Sequence, residues 1–140
     1  MNRLEFEERF WSKADWDIRS PDRCWNWLAA KSTNGYGRFQ IARHVIGAAH
    51  RVAYELEVGP IPPGKYLDHL CRNRSCVNPE HLEPVTSREN TLRGESHVAD
   101  RARQTHCLRG HNLSGTNLVP HPHSRVCREC KNLRARKEKA

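Results

Sequence analysis

The side chains best suited to binding a metal ion lie close together in one segment near the middle of the chain. Two cysteines and a histidine follow one another there at short intervals, as Cys71, Cys76 and His81. Thiolates and an imidazole at such spacing suit tetrahedral Zn²⁺. A structural zinc site needs a fourth ligand, and Cys24 is the one cysteine that no other cluster uses. The pattern predicts a zinc site of these four side chains; the alternative is that the cysteines are small buried apolar groups.

A second cluster of metal-ligand type lies near the C-terminus. It contains Cys107, His111, Cys127 and Cys130, and its last two members form a C-x₂-C pair typical of structural zinc. The two clusters use all six cysteines and leave no open coordination position, so both predicted zinc ions are structural. Three other histidines could replace His111: His106, His121 and His123.

Candidate catalytic residues surround the first cluster. His69 ends a predicted strand just before it, and Asn90 lies in the first turn of a helix predicted by the capping-box pattern Thr86–Glu89. A strand, a metal-braced loop and a helix would bring the two side chains together in a small ββα unit. An imidazole can act as general base, and an amide oxygen can bind Mg²⁺. With Arg38 contacting phosphate, these groups could hydrolyse a phosphodiester; the alternative for His69 is a structural histidine.

Hydrophobic patterning predicts the elements that position these residues, and it indicates an α+β fold. The segment Tyr36–Ala42 alternates, so that Phe39 and Ile41 face one side of a strand while Arg38 and Gln40 face the other. Further elements are predicted as a helix over 2–16, a strand over 24–28, a helix over 46–58, a strand over 66–70, a capped helix from 86 to 94, a linker or helix over 95–105, and a helix-favouring charged tail over 131–140.

The low apolar content of the chain indicates that its hydrophobic core is small. Of its 140 residues only 36% are apolar, so we expect bound metal to contribute folding free energy. No run approaches the roughly 18–20 apolar residues of a membrane helix. The acidic, mixed N-terminus is unlike a signal peptide. We therefore expect an intracellular protein with no membrane partner, whose cysteines bind metal rather than form disulfides.

The basic charge is concentrated in the C-terminal part of the chain. The formal net charge is +8, and residues 88–140 hold 12 Lys and Arg against 5 Asp and Glu. This excess favours a polyanionic partner, although a solvated tail would also account for it. We expect a catalytic core over residues 1–94 with the first zinc, followed over residues 95–140 by a basic linker, the second zinc module and a charged tail.

Several motifs of the sequence belong to one recognisable pattern. They are His69-Leu-Cys71-x-Asn73-x-x-Cys76-x-Asn78-Pro79-x-His81-Leu82 followed by Asn90, then Gly35-Tyr36-Gly37-Arg38-Phe39, Ala49-His50-Arg51 and Asp68-His69-Leu70-Cys71. Together they resemble the His-Cys box homing endonucleases of the His-Me finger (ββα-metal) superfamily, and the phage-encoded HNH endonucleases of the same superfamily. The resemblance covers residues 24–94 well and the second zinc module more loosely.

The resemblance implies a role for each of the matched residues. It makes His69 the general base and Asn90 the ligand of a single catalytic Mg²⁺ in a DNA endonuclease that leaves 5′-phosphate ends. It assigns a phosphate contact to Arg38 and base reading to Gln40, and with Arg43 this strand face could enter the major groove of double-stranded DNA. It assigns zinc to the first cluster, whereas the ligands of the second zinc depend on their spacing alone. It also implies a possible homodimer that cuts both strands.

Four alternatives remain open at this point. In an ordinary HNH arrangement, Asp68 and His81 would hold the catalytic metal beside His69, and Asn78 would be the middle Asn. The protein could instead be a non-catalytic zinc-finger regulator that binds DNA, or a nuclease of the same fold that processes RNA. A monomer of this size could also nick one strand instead of cutting both.

Overall fold

The α+β class predicted from the sequence is confirmed by the computed structural model, which describes residues 2–121 and 125–137. The helices in these residues are α1 (Arg3–Trp11), α2 (Ala49–Glu57), α3 (Ser87–Arg93), α4 (His97–Arg103) and α5 (Arg128–Lys137). The strands are β1 (Ala14–Asp15), β2 (Asn26–Trp27), β3 (Arg38–Ala42), β4 (Val45–Ala48), β5 (Tyr66–His69), β6 (Leu82–Val85), β7 (Leu118–Val119) and β8 (Val126–Cys127). They form antiparallel pairs, each strand of odd number with the next.

The chain divides into two compact units, residues 1–90 and residues 91–140. The first unit contains three of the strand pairs and helices α1 and α2, and the second contains α4, the pair β7–β8 and α5. The division falls within α3, a few residues before the end of that helix. Within the described residues, no helix is both long enough and apolar enough to span a bilayer.

The N-terminal helix is shorter than the predicted span of 2–16. It begins with a capping box at Asn2 and ends at Trp11, after which Ala14 forms a strand that pairs with Trp27. Leu4, in the first turn of the helix, is 70% exposed. Hydrogen bonding to a partner strand, rather than helix propensity, decides the conformation after Trp11.

The predicted helix over 46–58 is wrong in its first residues. Val45–Ala48 forms strand β4 and pairs with β3, and the helix starts only at Ala49. Val45 and Ile46 are β-branched and favour a strand once a partner strand is available. From Ala49 onwards the segment is helical as predicted, and Ala49, Val52 and Ala53 lie at helical spacing with buried side chains.

Aromatic rings form the centre of the first unit. Phe10 packs with Trp27 and Phe39, with ring centroids 5.1 and 5.0 Å apart. Gly37 lies against this core, where a Cβ atom would come within 2.7 Å of the Trp27 ring. A side chain at position 37 would therefore displace the core. The buried core side chains are Phe10, Ala14, Trp25, Trp27, Phe39, Ala49, Val52, Ala53 and Val77.

The cysteine-rich loop between β5 and β6 is anchored to this core by backbone pairing. Trp27 N–H donates to Ser75 O and Val77 N–H donates to Trp25 O, both at 2.8 Å. Asn78 is fully buried, and its amide donates to two carbonyls of the loop before β2, those of Pro21 at 2.6 Å and Arg23 at 2.8 Å. These bonds hold the segment around residue 24 beside the loop that follows β5.

Three further sequence-based predictions concern helices in the C-terminal half. The capping box at Thr86 is present, since Glu89 N–H donates to Thr86 Oγ1 and the Glu89 carboxylate accepts from Thr86 N–H. The segment 95–105, for which a linker and a helix were both open, contains α4. The helix-favouring tail is helical up to Lys137, and residues 138–140 lie outside the described part of the chain.

Candidate metal centres and active site

The structure brings together the four predicted ligands of the first zinc site. The ligand atoms of Cys24, Cys71, Cys76 and His81 all lie within 4.8 Å of one another. His81 Nδ1 is 3.6 Å from the sulfur of Cys24 and 3.6 Å from that of Cys76. Tetrahedral Zn²⁺ with its usual bond lengths places sulfur and nitrogen ligands about 3.5 Å apart. The donor set and its dimensions fit zinc.

Burial disfavours the thiolate form of the cysteines in this cluster unless a cation lies beside them. It raises the pKa of the Cys76 thiol to about 12, and it also raises the pKa of Cys71. Buried thiols of this kind stay protonated at neutral pH unless a metal ion stabilises the thiolate. We therefore expect metal binding here to release protons and to contribute folding free energy.

The second cluster has the same dimensions within the C-terminal unit. Sγ of Cys107 lies 3.7 Å from Sγ of Cys130, and His111 Nδ1 lies 3.3–3.6 Å from the three sulfurs. A tetrahedral zinc ion requires sulfur–sulfur distances of about 3.8 Å. His111 Nε2 is 3.5 Å from a carboxylate oxygen of Glu129, which can orient the ring. This cluster also fits zinc.

His111 rather than another histidine completes that cluster. His106 is exposed and pairs with Asn112 through its backbone, and His121 is exposed. Neither belongs to the group of ligand atoms, and His123 lies outside the described residues.

His69 is buried at the end of β5, and one of its ring nitrogens is held in a hydrogen bond. Its Nε2 is 3.1 Å from the carbonyl oxygen of Cys76. A carbonyl can only accept, so Nε2 carries the proton and Nδ1 keeps its lone pair in the neutral ring. The loop that carries a zinc ligand thereby selects the tautomer of His69. This arrangement leaves Nδ1 able to act as a base.

Two aromatic side chains with no role predicted from the sequence pack against His69. The rings of His50 and His69 are 4.8 Å apart, and that of Tyr36 lies 5.7 Å from His69. Burial, with smaller contributions from the charges of His69 and Arg51, lowers the pKa of His50 to about 3. His50 is therefore neutral at physiological pH. Its position on the buried face of α2, between small apolar residues, was the available signal.

The structure places the residues of the alternative metal site in different environments. The buried Asp68 carboxylate accepts a 2.7 Å hydrogen bond from Arg72 Nη1, whereas His81 lies among the cysteine sulfurs. Asn78 is occupied with backbone carbonyls. This arrangement favours zinc as the partner of His81.

Asn90 lies on the helix that follows the strand pair β5–β6. It is half-buried in α3, which directly follows β6, the partner strand of β5. His69 pairs with Leu82 across these two strands. The elements β5, β6 and α3 follow one another in the order of the predicted ββα unit, with His69 on the first strand and Asn90 on the helix.

Arg38 and Gln40 are exposed on one face of the hairpin formed by β3 and β4, and Phe39 between them is buried. Arg43 lies in the two-residue turn of that hairpin. Ile41, predicted to face the core with Phe39, is instead 38% exposed. The register of the hairpin is irregular between Gln40 and Ala42, which turns the Ile41 side chain away from the core.

Comparison with known proteins gives an independent view of this segment. A family model described as HNH endonuclease matches residues 47–92, which contain α2, the cysteine-rich loop and most of α3. No solved structure matches the chain significantly.

Three phage proteins are similar to the chain. The uncharacterized gene 5.3 protein of Enterobacteria phage T3 is 35% identical over 68 residues, which cover 45% of this chain and 67% of that protein. Protein 7.7 of Escherichia phage T7 is 34% identical over 49% of this chain and 52% of its own length. Protein 2.8 of the same phage is 34% identical over 53% of each chain. The matches thus span about half the length of the two T7 relatives. On the family match and these relatives, the chain belongs to the HNH endonuclease family.

Proposed function

We propose that this protein is a Mg²⁺-dependent endonuclease that hydrolyses phosphodiester bonds of double-stranded DNA. The observation that carries the proposal is the state of His69. Its Nε2–H is tied to Cys76 O, and its Nδ1 keeps a lone pair for a water molecule. Burial among aromatic rings fixes the imidazole in one orientation. A general base held in this way is what attack on a phosphodiester requires.

In this proposal Asn90 would hold the catalytic metal through its side-chain oxygen. A bound Mg²⁺ would supply charge stabilisation for the phosphorane and for the leaving 3′ oxygen. In support, α3 starts at a capping box directly after β6, the strand that pairs with the strand of His69. The products would carry 5′-phosphate and 3′-hydroxyl ends.

The two zinc ions are structural in this proposal. Each cluster supplies four ligand atoms, so neither leaves a coordination position for a reacting water. The first cluster acts on the chemistry only indirectly. Its loop contains both the zinc ligand Cys76 and the carbonyl that orients His69.

The hairpin β3–β4 is the proposed reader of the DNA. A two-stranded ribbon fits the major groove, where an arginine can bind guanine and a glutamine can bind adenine. Gln40 is presented on the exposed face, and its own backbone carbonyl accepts a 2.7 Å hydrogen bond from Arg9. Arg38 would contact a phosphate, and Arg43 would extend the contact from the turn.

Cleavage of supercoiled plasmid tests the proposal. We expect the zinc-loaded protein to convert plasmid to nicked or linear DNA when Mg²⁺ is added, and to leave it intact when Mg²⁺ is omitted. The ratio of linear to nicked product measures whether both strands are cut together, as a homodimer would do. Binding of plasmid without any cutting, or cutting of RNA alone, would contradict the proposal.

The pH dependence of cleavage provides a second prediction. Burial lowers the pKa of His69 below its usual value of 6.5; Arg72 adds to this shift, while the Cys76 carbonyl and Asp68 oppose it. A base must be deprotonated, so a lowered pKa keeps His69 active at more acidic pH. We expect kcat/KM to rise with pH through a limb below 6.5 and then to level off. The measurement is kcat/KM from pH 5 to 8, with zinc content checked at each pH, and a limb centred above pH 7 would contradict the assignment.

A further inference from the structure

The C-terminal unit contains a cleft that the proposed catalytic mechanism does not use. Its volume is about 860 Å³, and it lies beside the second Cys/His cluster, between α4, the loop after Cys107 and α5. Five basic side chains line it, and no acidic one does among the described residues. These side chains are Arg101, Arg109, Arg125, Lys131 and Arg134.

The five basic side chains have different partners. Arg125 donates hydrogen bonds to the backbone carbonyls of Ala102, Gln104 and Leu113, at 2.6–3.2 Å, and so holds α4 to the rest of the unit. Across the part of the chain that the structure describes, the other four form no ion pair with a carboxylate. Like charges kept close together without counter-charges favour an anionic ligand.

Apolar side chains line the same cleft together with the basic ones. Leu108 is fully exposed beside Arg109, and Leu113 and Val126 also contribute to the lining. Phosphate groups alone would require no such surface. A polymer that alternates phosphate with an apolar sugar face matches both parts of the lining, and the DNA backbone is such a polymer.

Stabilisation of the zinc site is the competing explanation for the basic residues. Three thiolates and a neutral imidazole on Zn²⁺ carry one net negative charge. One charge does not account for four unpaired cations, and the side chains of Arg109 and Arg134 are exposed. The two explanations predict different effects on zinc content.

We propose that this cleft binds the sugar–phosphate backbone of the DNA substrate. The inference rests on the proposed function, because it takes DNA as the partner. Arg109, Lys131 and Arg134 contact phosphates, Leu108 packs on a deoxyribose, and Arg125 keeps the walls of the cleft together. Such contacts strengthen binding without selecting a sequence.

A charge-matched pair of variants of the full chain tests the proposal. The first replaces three lining residues, as R109Q/K131Q/R134Q. The control, R128Q/R136Q/K137Q, removes the same charge from exposed positions of α5 that do not line the cleft. Fluorescence anisotropy with a labelled DNA duplex, without Mg²⁺ and at several salt concentrations, measures affinity. Zinc per chain is measured on every sample.

For the first variant we expect the slope of log affinity against log salt to become shallower by about 1 for each cation removed, and the affinity to fall at least about tenfold. The control should change much less. Equal losses in both variants would overturn the proposal, because the charge of the unit as a whole would then explain the binding. Loss of zinc from the first variant alone would also overturn it, in favour of the zinc explanation.

Two outcomes separate this inference from the proposed function. If wild type binds the duplex and never cuts DNA with Mg²⁺, while only the first variant loses affinity, the cleft proposal stands and the nuclease proposal fails. If wild type cuts DNA and the two variants bind equally well, the nuclease proposal stands and the cleft proposal fails. The conservative variant K131R/R134K should retain the wild-type salt slope.

Discussion

Replacing His69 with alanine will lower the rate of DNA cleavage by about 10²–10⁴-fold at saturating DNA. The substitution removes the nitrogen that accepts a proton from water. It also removes the hydrogen bond between His69 Nε2 and Cys76 O. Affinity for DNA should change little, because His69 is buried, whereas the proposed DNA contacts Arg38 and Gln40 are exposed on β3. Single-turnover cleavage of a labelled duplex, with affinity measured separately without Mg²⁺, checks both expectations.

The control for this prediction is His97→Ala. His97 is an exposed histidine at the start of α4, and its loss should leave cleavage unchanged. Because His69 is buried, zinc content and thermal unfolding are needed to show that the variant is folded. Retention of full activity by a folded His69→Ala protein would refute the assignment of the base.

Replacing Cys76 with serine will remove one zinc ion and unfold the unit of residues 1–90. Cys76 is fully buried, and its backbone bridges to Asn26 while its carbonyl orients His69. Structural zinc contributes an apparent binding free energy of about 10–16 kcal/mol. That is as large as the whole free energy of unfolding of a typical domain, about 5–15 kcal/mol. Tryptophan fluorescence is the readout, because all four tryptophans lie in this unit: Trp11, Trp16, Trp25 and Trp27.

The matched variant for the zinc prediction is Cys130→Ser in the C-terminal unit. It should also lose one zinc ion, but it should keep the tryptophan emission of the wild type, since the second cluster belongs to residues 91–140. The measurement is zinc per chain beside the emission spectrum and its urea midpoint. A Cys76→Ser protein that kept two zinc ions and native emission would contradict the ligand assignment.

Local chemistry in the sequence was sufficient to predict several features of the protein. The eight side chains of the two metal clusters were identified from residue type and spacing, and the structure brings each set of four together. The capping box at Thr86 was also predicted correctly, and α2, predicted to end at residue 58, ends at Glu57. These features depend on ligand identity or on backbone preferences within a few residues, which a sequence states directly.

Some features that depend on distant partners were not predicted. Residues 46–48 were expected to be helical but belong to strand β4, because β3 offers them a partner. The segment after Trp11 leaves the helix for the same reason, since β2 lies beside it. Short strands have weak intrinsic preferences, so the pairing partner rather than the local sequence decides their conformation.

The surroundings of the proposed base depend on the fold in the same way. The spacing of the motif identified His69, whereas Tyr36 reaches it from the segment before β3 and His50 from α2, both distant in the chain. The tautomer of His69 depends on a carbonyl of the zinc loop. Residue types and short spacings thus predicted the two sets of candidate metal ligands and proposed His69 as the base. Long-range packing decided which rings lie beside His69 and which of its nitrogens carries the proton, because these depend on contacts that the local sequence does not encode.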